Sequence, residues 1–354
     1  MWTALLFLVQ SIDPRARGSA MNRRVLHRLA AVIVPALWAA GVLHADPVPD
    51  PTPAPGQGSA GGDEAYVAPT RLDRIGRIMV PVYINDHGPY AFVIDTGASR
   101  SVLAPHVAVA LGLQPDPDKL LELRGVTGAQ IVPSVFVDKL KAGELVLTHQ
   151  TLPVVTPSVF ANADGILGVD GFATMCLSAN FVKQSIAILR NGCPRTSNEW
   201  ARAKASFRFG GLLIINARMR GPSRLPAIID TGAERSLGNL ALLNALKLQQ
   251  KAENPANATV VFGATSHRAS GHLLTTPTIF LGDLEVNDLK VTFGDFDVFK
   301  LWNLEHEPAI VIGMDVLGTV DAIMVDYRRG ELRVLPRGAS DNIEMRPTRP
   351  GRLD

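Results

Sequence analysis

Asp95 and Asp230 each head the same four residues. Asp95-Thr96-Gly97-Ala98 follows the apolar run Phe92-Val93-Ile94, and Asp230-Thr231-Gly232-Ala233 follows Ala227-Ile228-Ile229. A strand that runs into Asp-Thr-Gly sets a short carboxylate on a tight turn. Glycine permits that turn and lets a backbone N–H approach the carboxylate. Each threonine offers a hydroxyl to the backbone of a facing turn, and each alanine leaves room for a chain to lie close. One such turn is half of a device. Two brought face to face place the carboxylates side by side, where both cannot ionise cheaply; they share one proton and titrate as a pair. The ionised member can take a proton from water while the protonated member donates to a carbonyl oxygen. That is general acid–base hydrolysis of an amide, with no covalent intermediate, no metal and no cofactor.

The elements that must hold the aspartates are themselves duplicated. Aligned on Asp95 and Asp230, "DTGASRSVLAPHVAVALGL" and "DTGAERSLGNLALLNALKL" agree at nine of 19 positions. Before the aspartate, strands are expected over residues 78–84 and 90–94 in one copy and 212–216 and 226–229 in the other. Their connections, 85–89 and 217–223, each carry a Gly-Pro pair. After the turn both copies become helix-like, over 106–111 and 240–246. The correspondence continues through "RGVTGAQ" and "FGATSHR", then "KAGELVL" and "FLGDLEV", then "GILGVDGF" and "IVIGMDVL", and ends in two hairpin-like segments, "SANFVKQSIAIL" and "IMVDYRRGELRVL". Two copies of this length do not make a solenoid; they suggest a pseudo-twofold pair of mostly β lobes. Lobe one is read as residues 66–195, lobe two as 207–336, and 198–204 as their connection.

Composition bounds the partners. The apolar fraction is 47% and the formal net charge is +2, with no basic run, so nothing points to nucleic acid. Residues 1–45 read as an N-terminal extension and a signal sequence. Arg23, Arg24 and Arg28 precede an uncharged apolar run over 29–42, short for a membrane span. The expectation is export to the periplasm or beyond, with an uncleaved membrane anchor as the alternative. Residues 46–65 form a Pro- and Gly-rich linker, and 337–354 a tail. The linker's Gly56-x-Gly58-x-x-Gly61 is not a dinucleotide fingerprint, because neither strand nor helix flanks it. Cys176 and Cys193 flank the first terminal hairpin. They are either a staple across its base, which an exported chain permits, or two buried thiols.

These motifs resemble the aspartic peptidases, and among them the retropepsin-like type of bacterial proteins. The resemblance rests on the two Asp-Thr-Gly-Ala segments with Ile166-Leu167-Gly168 and Val311-Ile312-Gly313, and spans nearly all of residues 66–336. It implies a mostly β, bilobal acid-protease fold of two pseudo-twofold-related retropepsin-like β-barrel lobes in one chain, a monomer that is internally a pseudo-dimer. It implies that Asp95 and Asp230 are the catalytic dyad, that Thr96 and Thr231 tie the lobes together, and that Gly97 and Gly232 support the turns. The substrate would be a peptide or protein. Ala98, Ser99, Ala233 and Glu234 beside the aspartates would line it. So would Thr127 and Thr265 at the tips of two hairpins, 125–128 and 263–266, read as flaps or as plain surface turns.

The two copies differ next to the chemistry. Ser99 stands where Glu234 stands in the other lobe; Glu234 either contacts substrate backbone, as the resemblance implies, or forms a structural ion pair. Ala98 and Ala233 lack the hydroxyl that pepsin-like relatives often carry there. With one donor fewer, the carboxylates are expected to titrate higher than in pepsin-like sites. Asp170 and Asp315 read as structural, each starting a short helix. Phe299 and Trp302 lie in a stretch, 295–308, longer than its counterpart, and read as core. No Gly-x-Ser-x-Gly or His-Glu-x-x-His occurs. The competing reading is a non-catalytic peptide-binding protein on the same fold.

Overall fold

The computed structural model describes residues 2–3, 7–11, 67–69, 72–73, 76–156, 160, 162–222 and 224–338. The export segment, the proline-rich linker and most of the tail lie outside them. Among the described residues no helix is long and apolar enough to cross a membrane.

Each lobe begins with the hairpin that delivers its aspartate. In lobe one Met79–Ile84 pairs antiparallel with His87–Ile94. Val80, Val82 and Ile84 point inward and their neighbours are half-exposed, the period-two pattern of a strand with one buried face. In lobe two Leu212–Met219 pairs with Leu225–Ile229. Both predicted strand pairs are present, each longer than its apolar run. His87, Gly88 and Pro89 continue the strand rather than forming the turn, and the lobe-two strand runs on to Met219.

A third strand then closes on each aspartate strand from the far end of the lobe. Gly165–Leu167 lies parallel to Phe92, Val93 and Ile94, and Ile310–Ile312 lies parallel to Ala227, Ile228 and Ile229. All six residues of these two closing strands are buried, as strands covered on both faces require. Short helices follow the aspartate turns, Pro105–Ala110 with proline in its first turn and Leu240–Ala245 capped by the Asn239 side chain on the Leu242 N–H at 2.8 Å.

Beneath the two aspartate turns the lobes share one sheet. Six strands run in the order Ala201–Arg208, Glu331–Leu335, Ala322–Asp326, Cys176–Asn180, Ser185–Leu189 and Val67–Pro69. Its central pair, Cys176–Asn180 with Ala322–Asp326, joins the final hairpin of one lobe to that of the other. Residues 198–204 are therefore not a plain connection. From Ala201 onward they form a strand that pairs first with Glu331–Leu335 and then, from Ala205, with Leu212–Met219, so it ties this sheet to the aspartate hairpin of lobe two. Cys176 and Cys193 form a disulfide across the base of the lobe-one hairpin. It sits in a small separate apolar cluster with Leu189, Trp200, Met324 and Leu335.

Each lobe carries one further hairpin. Leu121–Gly125 pairs with Gly128–Val132, and Ala258–Phe262 with Arg268–Thr275. Both accept an added strand at their free edge: Phe7–Ser11 pairs antiparallel with Leu121–Gly125, and Trp2–Thr3 parallel with Ala258–Phe262.

Candidate active site

The aspartate turns meet at the junction of the lobes, and the sequence dictates how they lock. The Thr96 hydroxyl donates to the Ile229 carbonyl at 2.7 Å and accepts from the Thr231 N–H at 3.1 Å. The Thr231 hydroxyl donates to the Ile94 carbonyl at 2.7 Å and accepts from the Thr96 N–H at 3.1 Å. All four bonds are buried, where a backbone group without a partner would cost about 1–3 kcal/mol. The lattice therefore fixes one turn against the other.

Asp95 and Asp230 are fully buried. Each is held by backbone at both ends. The Asp95 N–H bonds to Leu167 at 3.0 Å and the Asp230 N–H to Ile312 at 2.9 Å, the closing strands just described. Oδ1 of Asp95 accepts from the Gly97 N–H at 2.8 Å; Oδ1 of Asp230 accepts from Gly232 at 2.8 Å and Ala233 at 3.1 Å. The turn glycines thus put donors on the carboxylates. Gly232 has a second role: a Cβ there would collide with the Asp95 carboxyl. The absent side chain lets the carboxyl of one lobe enter the turn of the other.

Burial dominates the electrostatics. It pushes Asp95 up to about 6, opposed by the neighbouring Asp230 carboxyl, the Gly97 N–H and the charge of Arg77. It raises Asp230 well above the usual carboxylate range, and the adjacent Asp95 charge raises it further. The pair therefore holds one proton across the range in which most carboxyls hold none, with ionised and protonated members side by side.

The segments behind the turns are built alike. Gly168 and Gly313 lie so close to the backbone of Arg100 and Arg235 that a Cβ would stand 2.5 and 2.8 Å from a carbonyl carbon. Asp170 accepts from the Ser101 hydroxyl at 2.7 Å, and Asp315 from the Ser236 hydroxyl at 2.7 Å and its N–H at 2.9 Å. Each serine in turn accepts from the glycine N–H, Gly168 at 3.2 Å and Gly313 at 3.1 Å. Asp170 and Asp315 bond to serines; Asp315 lies in the first turn of a short helix as expected, whereas Asp170 precedes only a single turn, and neither is a cap residue. The helix Met314–Leu317 has Gly313 at its cap position with no side-chain bond, and the single turn Phe172–Thr174 has Gly171. Burial raises both carboxyls, which stay with their serines. Ser101 and Ser236 were missed in the sequence, although they are identical in the aligned copies.

The other residues expected at the site fall around this centre. Ala98 and Ala233 are fully buried, their carbonyls accepting from Val169 at 2.9 Å and Met314 at 2.8 Å. Ser99 is buried and its hydroxyl has no hydrogen-bond partner. Glu234 is half-buried, and its carbonyl accepts from Asp315 at 3.2 Å. Thr127 and Thr265 meet, hydroxyl to hydroxyl at 2.8 Å, at the tips of the two further hairpins. Gln130 adds a bond to the Ser266 N–H at 3.0 Å. A third contact comes from the long stretch in lobe two, whose Asp297 N–H bonds the Val126 carbonyl at 3.1 Å. Phe299 and Trp302 there are core, stacked edge-on. A hollow of about 470 Å³ borders Trp302, Phe209, Arg208 and Arg224, but no residue of the aspartate turns or hairpin tips lines it. Among the described residues no cluster suited to a metal ion occurs.

Two lobes, each closing a parallel strand on an Asp-Thr-Gly turn and sharing a six-stranded sheet, define a bilobal acid-protease fold. The family model described as "Aspartyl protease" matches the chain twice, over residues 80–170 and 215–316. The chain belongs to the aspartyl protease family, as a retropepsin-like member with two lobes. Among solved structures it is similar to the aspartic proteinase from Irpex lacteus, with a TM-score of 0.50 and 14% identity over 79% of this chain and 98% of that one. No curated protein matches.

Proposed function

We propose that this chain is an aspartic endopeptidase in which Asp95 and Asp230 hydrolyse a peptide bond by activating water between them. The observation that carries this reading is the pair of buried carboxyls held together by the exchanged threonine bonds. Such a pair keeps one proton and one charge, so base and acid are present together at the start of the reaction. The base removes a proton from water as it attacks the carbonyl carbon, and the acid protonates the carbonyl oxygen. As the tetrahedral diol collapses, the protonated base gives its proton to the leaving nitrogen and the deprotonated acid takes one from a diol hydroxyl, which releases amine and carboxylic acid and restores the dyad.

A substrate would bind as an extended strand beneath the hairpin tips, pairing by backbone. The pairing of the chain's own Phe7–Ser11 and Trp2–Thr3 with the hairpin edges supports this mode, since those edges accept a strand. Thr127, Thr265, Ser99 and Glu234 are the residues proposed to meet the peptide. The protein acts as a monomer, because both halves of the site are in one chain. We further propose that it is exported; the Cys176–Cys193 disulfide supports an oxidising compartment.

The test is cleavage of a denatured proteome digest by wild type, Asp95→Asn and Asp230→Asn, read by mass spectrometry of new termini. Both variants are expected to lose activity by about 10²–10⁴-fold. Equal cleavage by all three proteins would exclude the dyad. Binding of peptides without cleavage by the wild type would make the chain a binding protein.

A further inference from the structure

The two lobes differ at the residue that faces the aspartate across its hairpin. Met79 stands opposite Val93, and the Ile94 N–H bonds the Ile78 carbonyl at 2.9 Å. One more step along this register sets Arg77 opposite Asp95. In lobe two Ile214 stands opposite Ile228. Two positions further along this register, Leu212, buried and apolar, falls opposite Asp230. One carboxyl of the pair thus has a guanidinium across the strand, and the other an isobutyl group.

Arg77 is no surface group that happens to lie nearby. Its side chain has no exposed surface. It is pinned by Asp73, which accepts from Nε at 2.7 Å, from Nη2 at 2.6 Å and from the Arg77 N–H at 2.9 Å. Nη2 also donates to the Phe160 carbonyl at 3.2 Å. Guanidinium does not deprotonate in proteins, so the charge is fixed in sign as well as in place. In surroundings of low polarity a fixed charge acts over several ångströms.

We infer that Arg77 sets the direction of the dyad: it keeps Asp95 as the ionised member, the base, and leaves the shared proton on Asp230. A twofold pair of identical carboxyls has no preferred assignment; one buried cation on one side supplies it. The charged and titratable groups around Asp95 are few. Asp230 faces it from lobe two, and Arg77 with its partner Asp73 stands behind it. Tyr327 approaches from the shared sheet, its buried hydroxyl without a partner. Burial and the Asp95 charge hold that phenol neutral, so it contributes no competing charge. Asp73 offsets part of the Arg77 field, which gives the inference a test with opposite signs. Arg77 is a positioning residue here, acting through Asp95, and its role as stated rests on the peptidase reading.

The experiment is a pH titration of the full chain with ¹³C-labelled aspartate, the two dyad carboxyls assigned with Asp95→Asn and Asp230→Asn. It is run alongside the pH profile of kcat/KM on a peptide substrate. Arg77→Met is expected to raise the lower dyad titration and the acid limb of kcat/KM by about one pH unit, a tenfold loss of kcat/KM on that limb. Asp73→Asn is expected to move both the other way. Arg77→Lys, which keeps the charge, stays within about 0.3 unit of wild type. A packing role would lower the folded fraction in Arg77→Met and Asp73→Asn alike without moving either titration in opposite directions. Should Arg77→Met fail to fold, Asp73→Asn and Arg77→Lys still decide the sign. An unmoved titration, or a shift of the same sign in Asp73→Asn and Arg77→Met, overturns the inference. The carboxyl shifts are read whether or not the chain cleaves peptides, so wild type inactive with the carboxyls shifting as stated would sink the peptidase reading alone.

Discussion

Thr96 and Thr231 exchange hydrogen bonds across the lobe junction. Each hydroxyl accepts from the other's N–H at 3.1 Å and donates at 2.7 Å to a carbonyl two residues before the other threonine. The two aspartate turns are thus one unit: each lobe holds its own carboxyl, and the threonines fix one turn against the other.

Replacing either threonine by valine keeps the shape and removes the hydroxyl. A buried N–H and a buried carbonyl then lose their partners, for a loss of about 2–4 kcal/mol in stability. Thr96→Val and Thr231→Val together should cost less than the sum, because the first already breaks the unit. Urea unfolding of the three variants and the serine replacements checks this. Serine keeps the hydroxyl and is expected to retain most of the stability.

The meeting of Thr127 and Thr265 sets a second expectation. Their hydroxyls touch at 2.8 Å, and Gly263 packs on Thr127 so closely that a Cβ would stand 2.6 Å from its Oγ1. If the substrate lies beneath these tips, as proposed, a peptide must part them to reach the aspartates. Thr127→Cys with Thr265→Cys places two thiols where a disulfide can form. Oxidation is expected to reduce peptide cleavage at least about tenfold, and reduction to restore it. Wild type put through the same cycle controls for Cys176–Cys193. Full activity in the oxidised double variant, with the new bond shown by mass, would mean substrate enters by another route.

Much of this was legible because it is local and repeated. Asp-Thr-Gly-Ala, its leading strand and the apolar-Gly-x-Asp segment each carry their signal within a few residues, and the second copy removes coincidence. What escaped depends on pairing between distant segments. Ser101 and Asp170 are 69 residues apart, and their bond follows only once the closing strand docks. Asp170 and Asp315 therefore read only as helix starts. The strand from Ala201 read as a connection because its alternation of small and charged residues needs the shared sheet to make sense. Arg77 gave no signal, since its place opposite Asp95 is a matter of register. The contact of Thr127 with Thr265 needs both lobes in place.

The disulfide makes a quantitative expectation. Cys176 and Cys193 are 17 residues apart and close the lobe-one terminal hairpin of the shared sheet. Loop closure of that length is worth about 3 kcal/mol. Cys176→Ser with Cys193→Ser should lose roughly that amount in denaturant unfolding. The loss should be matched in wild type under strong reductant, with no change in the pH profile of activity. A shift in that profile would show that the hairpin strain reaches the dyad.

The dyad itself should destabilise the fold as pH rises. An unfolded aspartate titrates near 3.8, while burial holds Asp95 near 6 and Asp230 well above the usual range. Between those values the folded chain binds more protons than the unfolded one, so stability falls with increasing pH. The dyad's contribution is fully present below pH 3.8 and is lost through pH 6 for Asp95, with a further loss at higher pH for Asp230. The shift on Asp95 alone corresponds to about 3 kcal/mol. Asp95→Asn with Asp230→Asn has no such titration. Its stability relative to wild type should therefore increase by at least about 3 kcal/mol from pH 3.5 to pH 7. The difference between the two proteins cancels the other carboxyls, which titrate in both. A difference that is flat with pH would mean that the carboxyls are solvated in the folded chain, and the acid–base pairing proposed for them would fail with it.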